Sequence, residues 1–164
     1  MITKRLILFF IFLFLLIQPS VVLAEEWNIT SPFGWRIHPV FGDWRYHGGV
    51  DFGIDYGIPV PVTQSGTVEY AAYDAGGGNM IRVDHGNGQE TVYMHLSRFA
   101  VVGGQTVTTG QIIGYVGSTG YSTGPHLHLG YYLNGELHNP VPYLLAVGWN
   151  ITNSPSSDPF DEWT

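Results

Sequence analysis

The sequence predicts an all-β domain of antiparallel sheets, and three observations carry that reading. No segment between Trp27 and Trp149 sustains apolar residues at the 3.6-residue spacing of a helix. Short runs rich in β-branched and aromatic residues stand there instead, several alternating with period 2. Between them lie Gly, Pro and Asn, and 22 glycines in 164 residues serve many tight turns.

Taken in order, the runs are "GTVEYAAY", "NMIRVDH", "ETVYMHL", "QTVTTGQIIGYVG" and "HLHLGYYL". In the second, Met80 and Arg82 alternate with Ile81 and Val83, the mark of a half-buried strand. The punctuation "DAGGGN", "HGNGQ", "VVGG" and "LNGE" is built from residues that tolerate positive φ, so hairpins join the strands. "NPVPYLLAVG" is expected to hold one short helical turn near the C-terminal edge. The inner faces of these sheets form the core, with a groove expected between the β-hairpin loops.

Three segments flank and compose the chain. Residues 1–24 read as a signal peptide: Lys4 and Arg5 precede an uncharged apolar run of 12 residues, Leu6–Ile17, and the segment ends in "VLA". That run is short of the ~20 residues that a membrane span needs. Residues 25–149 form the domain, and 150–164 a polar, acidic, disordered tail. Only Glu25–Thr30 separate the signal from the domain, too few for a folded prosegment, so the site is expected to be uninhibited.

After signal removal four basic residues (Arg36, Arg45, Arg82, Arg98) face 13 acidic ones, a net charge of −9 with neutral histidines. No basic stripe exists, which excludes nucleic acid as a partner, and no stable membrane insertion is expected. The chain has no cysteine, so an exported protein of this kind must rely on core burial and on any metal it binds. It is expected to act as a monomer.

Seven histidines give the chemistry away. "HGGVD" places His47 and Asp51 at i and i+4, "YMHLS" places His95 at a strand end, and "GPHLHLG" places His126 and His128 on one strand face. Imidazole and carboxylate suit Zn²⁺, whose catalytic sites use three protein ligands and a water. More candidates exist than ligand positions, and no HExxH motif supplies a glutamate base, so a histidine must move the proton. Strand parity allows either His126 or His128 to be the ligand.

The motifs as a series resemble the lysostaphin/LytM-type zinc endopeptidases of peptidoglycan. The resemblance covers roughly residues 31–142, from "SPFGWRIHPVFG" through "HGGVDFG", "GIPVPV", "GTV", "GGGNMIRVDHGNG" and "YMHLS" to "VGGQTVTTGQIIGYVGSTGYSTGPHLHLG". It implies that His47, Asp51 and His128 bind one zinc ion, and that His95 and His126 face the metal-bound water and the substrate. It also implies a secreted or periplasmic peptidase acting on peptidoglycan stem peptides or cross-bridges. A non-catalytic wall-binding module or hydrolase activator of the same fold is the alternative. His38 matches a family position near the groove and fits a structural role equally well; Trp35, Phe41, Trp44 and Tyr46 fit a groove wall, and core packing explains the Trp and Phe residues equally well. His85 and His138 are read as structural or solvent-facing. One departure stands out: the family continues its HxH with an aromatic residue and then Glu or Gln, where this chain has Leu129 and Gly130.

Overall fold

The computed structural model describes residues 26–37 and 42–153. The signal segment 1–24 and residues 154–164 of the tail lie outside them. The described chain runs β1 (Trp27–Ser31), β2 (Gly34–Ile37), β3 (Trp44–His47), β4 (Val50–Phe52), β5 (Pro59–Pro61), β6 (Gly66–Asp74) and β7 (Gly78–Gly86). It continues through β8 (Gln89–Leu96), β9 (Arg98–Phe99), β10 (Thr106–Val107), β11 (Ile112–Tyr115), β12 (Leu127–Leu133), β13 (Glu136–His138), helix α1 (Pro140–Ala146) and β14 (Ile151–Thr152).

The principal sheet is ordered β10-β6-β7-β8-β12-β4-β1-β14, with β13 paired to the far part of β12. A three-stranded sheet β5-β11-β9 and the hairpin β2-β3 complete the described architecture. The long β6-β7-β8 meander is antiparallel throughout, as its Gly- and Asn-rich turns require. The all-β expectation is borne out.

Parity sets the two faces of the central strands. Val50 and Phe52 of β4 and Leu127 and Leu129 of β12 are fully buried in the core, with Ile81, Tyr93, Leu96, Ile113 and Leu144. Asp51 and His128 therefore leave the opposite face, where the groove lies. The helix expected in "NPVPYLLAVG" is α1, which begins with Asn139 accepting from the Val141 N–H and with Pro140 in its first turn. Tyr143 of α1 stacks on Tyr131 at a ring separation of 4.3 Å, clamping the helix to β12.

The boundary placed after Trp149 needs correction. Ile151 and Thr152 pair in parallel with Trp27 and Asn28 of β1, so the tail begins as a sheet strand. Trp149 brings the chain there by packing its ring 4.2 Å from that of Trp27, and local polarity in "NITNS" hides this apolar anchor.

Candidate metal centre and active-site groove

The site starts from strand register. Antiparallel pairing of β4 with β12 sets Asp51 directly opposite His128, so their side chains leave the same face as neighbours. His47 closes β3, and the two-residue turn Gly48-Gly49 returns the chain into β4 beside it. A Cβ at Gly49 would lie 2.4 Å from the Leu129 carbonyl oxygen and 2.6 Å from His128 Nε2, so only glycine lets this turn pass under the ligand strand.

These three side chains converge. His47 Nε2 lies 3.1 Å from Asp51 Oδ1 and 3.0 Å from His128 Nδ1, and His128 Nδ1 lies 2.8 Å from Asp51 Oδ1. Tetrahedral coordination with bonds of 2.0–2.1 Å has ligand–ligand edges of about 3.3 Å, so a small expansion of this triangle accepts an ion. His47 Nδ1–H donates to the Pro32 carbonyl at 2.6 Å, which fixes the tautomer and leaves Nε2 with a lone pair. That lone pair faces an Asp51 oxygen, an arrangement which a shared proton or a cation must hold together. All three residues are buried and form a group suited to a metal ion.

The electrostatics agree with that donor set. Burial alone would raise the Asp51 carboxyl, yet its contacts with the His128 and His47 imidazoles hold it well below the usual carboxylate range. Burial pushes His128 down, against the pull of Asp51, so its ring is neutral near pH 7. An ionised carboxylate beside a neutral imidazole suits metal binding.

His95 and His126 stand beside this cluster, with ring centroids 4.6 Å apart. His95 ends β8 in the left-handed region at φ 62°, which swings its ring into the groove. Its Nδ1–H donates to the Thr119 carbonyl at 2.8 Å and its backbone N–H to the Gly77 carbonyl at 2.8 Å, so Nε2 faces the groove with a lone pair. Burial is the largest influence on His95 and pushes it down to about 4, aided by His126 and His128, while the Thr119 carbonyl and Asp51 oppose. His126 donates from Nδ1 to the Gly124 carbonyl at 2.9 Å, which places Nε2 3.8 Å from Asp51 Oδ1.

Two loops hold this pair of imidazoles. Asp74 Oδ1 accepts from Gly76 and Gly77, shaping the β6–β7 turn against the loop after β11. Gly78, at φ 66°, admits Thr119 so closely that a Cβ would sit 2.2 Å from its hydroxyl. Thr119 Oγ1 accepts from the Asn79 N–H and donates to the Leu96 carbonyl, both at 2.9 Å, which ties the His95 partner to β7 and β8.

The groove encloses about 530 Å³, and its walls include Thr30, Arg36, Ile37, Met94, Tyr121 and Pro125. The expected aromatic wall is corrected. The hairpin sets Trp35 opposite Tyr46 and Ile37 opposite Trp44, and Trp35, Trp44 and Tyr46 are 67%, 61% and 47% exposed and do not line the groove. His38 and Phe41 lie outside the described residues. Arg36 is the residue that the sequence reading missed: its Nη2 donates to Asp51 Oδ2 at 3.3 Å. The available signal was a lone basic residue between Trp35 and Ile37, since strand alternation sends it to the other face. His85 is structural, bonded to the Ser65 carbonyl and the Thr91 hydroxyl, and His138 is exposed on β13. Leu129 faces the core, while a Cβ at Gly130 would press within 3.3 Å of the Gly48 carbonyl.

A β-sheet scaffold gathers two imidazoles and a carboxylate about one point, with two further imidazoles in an open groove, and so forms a candidate metal centre. The chain belongs to peptidase family M23, whose pattern matches residues 45–140 and takes in all five of these side chains. It is 45% identical over 120 residues to the DD-carboxypeptidase/endopeptidase Mpg of Neisseria meningitidis serogroup B, covering 73% of this chain and 28% of that protein. Peptidoglycan DD-endopeptidase ShyC of Vibrio cholerae is 41% identical over 117 residues, covering 71% and 27%. The chain thus spans under a third of the length of these curated relatives. Among solved structures, the catalytic domain of the antimicrobial peptidase lysostaphin from Staphylococcus simulans superposes with a TM-score of 0.66 at 38% identity, covering 73% of this chain and 92% of that one. The resemblance to lysostaphin-type domains is borne out.

Proposed function

We propose that this protein is an exported zinc metalloendopeptidase that hydrolyses peptide bonds in peptidoglycan stem peptides or cross-bridges. The observation that carries the reading is the convergence of His47, Asp51 and His128 beside the groove that His95 and His126 also face. Two nitrogens and one oxygen at these separations are a donor set that suits zinc, and His47, Asp51 and His128 would hold the ion. Zinc bound there supplies Lewis acidity to a water and to the scissile carbonyl.

The chain's own residues do the rest. His95, neutral at physiological pH with Nε2 directed into the groove, is ready to accept a proton from the attacking water. His126 presents its Nε2 from the neighbouring wall as the alternative acceptor, and whichever imidazole takes the water's proton would return it to the leaving amine. The open groove admits an extended peptide with small side chains. The names of the curated relatives, among them a peptidoglycan DD-endopeptidase, support the substrate class. Its location outside the membrane agrees with the signal-like segment 1–24. Among the described residues no helix is long and apolar enough to cross a membrane. All five site residues being present favours the enzyme over a binding module of the same fold.

The test is release of soluble peptides from purified cell walls, measured with and without a chelator and after zinc is returned. Walls left intact by zinc-loaded protein would sink the enzymatic reading.

A further inference from the structure

Arg36 is placed against the local preference of its own hairpin. It stands directly opposite Arg45 in the β2–β3 pair, and like charges facing across a strand pair destabilise it. Each guanidinium turns to a separate acid. Arg45 pairs with Asp43 at 2.7 and 3.1 Å on the surface, whereas Arg36 reaches inward to Asp51, the two side chains being 14% and 12% exposed. The residue type at position 36 therefore serves something beyond the hairpin.

What it serves is visible in the division of the Asp51 oxygens. Oδ1 faces His47 Nε2 and His128 Nδ1, and Oδ2 accepts from Arg36 Nη2. A carboxylate that must offer one oxygen to an ion turns about its Cβ–Cγ bond unless the other oxygen is tied. Arg36 Nε is buried with no hydrogen-bond partner among the described residues, so no acceptor among them draws that atom away. Among the described residues lining the groove, Arg36 is the sole lysine or arginine, and it precedes the family-matched span 45–140.

We propose that Arg36 is the positioning residue of the metal centre: its contact with Asp51 Oδ2 orients the carboxylate so that Oδ1 faces the ion. The proposal rests on the zinc reading above. Arg36 acts through Asp51 and touches no reacting atom, and the orientation it imposes outweighs the repulsion between its charge and the ion's.

The experiment is zinc affinity of the full chain, by chelator competition, for wild type, Arg36→Ala and Arg36→Lys, with melting of each metal-free form alongside. Arg36→Ala is expected to bind zinc about 10–100-fold more weakly. Arg36→Lys, which keeps the charge but loses the planar fork, is expected to fall between the two. Zinc affinity within twofold of wild type, or tighter, in either substituted chain that melts cooperatively overturns the proposal. So does a raised KM with zinc affinity unchanged, which would make Arg36 a substrate contact. A wild-type chain that binds no zinc at all removes the metal reading itself and this role with it.

Discussion

His128 and His126, two positions apart in "HLH", are held by different neighbours. His128 lies within β12, buried, with Nδ1 on Asp51, while His126 precedes the strand with its Nδ1–H committed to the Gly124 carbonyl. His128→Ala is therefore expected to lose both zinc and activity, and some stability with them, because metal binding is coupled to folding. His126→Ala and His95→Ala are expected to keep near-stoichiometric zinc while losing about 10²–10⁴-fold in rate, the usual worth of general acid–base help. Zinc per chain by elemental analysis, set beside the wall-hydrolysis rate, checks each variant. Should His126→Ala empty the site and His128→Ala leave it filled, the two roles are exchanged.

At the scale of elements, two junctions show how the sheet is fastened. His85 on β7 has Nε2 2.7 Å from the Thr91 hydroxyl, which donates to Tyr93, and the chain of hydroxyls continues through Thr63 to Tyr143 on α1. Burial pushes His85 below the usual histidine value, with the Ser65 carbonyl and Asp84 opposing. As pH falls through about 6.5, the unfolded chain takes up a proton that the folded chain refuses, so stability drops on the acid side. In metal-free protein, the fall in urea midpoint between pH 7 and pH 5 is expected to be smaller for His85→Gln than for wild type. Equal falls would show that His85 does not carry this dependence. The second junction is β14, whose two residues pair with Trp27 and Asn28 of β1, and none of these four lines the groove. Truncation after Trp149 is expected to lower Tm measurably while leaving kcat/KM within about threefold, ~0.7 kcal/mol of barrier. A large loss of kcat/KM at unchanged Tm would give the tail a role in catalysis.

For the molecule as a whole, one sheet spans from the hydroxyl network to the metal cluster, and the core beneath it carries the load without disulfides. An ion held by His47 of β3, Asp51 of β4 and His128 of β12 would join the β2–β3 hairpin to the principal sheet and so would stabilise the fold by mass action. A chelator is expected to lower Tm and abolish wall hydrolysis together, and zinc to restore both. Recovery of Tm without recovery of hydrolysis would separate the ion's structural effect from catalysis.

The sequence by itself determined what is local. Period-2 runs and Gly-Asn turns are written in adjacent residues, and they sufficed for the all-β meander β6-β7-β8 and for the short helix α1. The donor types were legible too, because His47, Asp51, His95, His126 and His128 stand in motifs whose chemistry and family resemblance can be read from spacing. Only the tertiary structure decided which atoms meet. The β4–β12 register that sets Asp51 opposite His128, the Trp27–Trp149 contact that draws Ile151 into the sheet, and the reach of Arg36 to Asp51 all join residues distant in the chain. Alternation fixes that two faces exist, but burial against the rest of the molecule chooses between them.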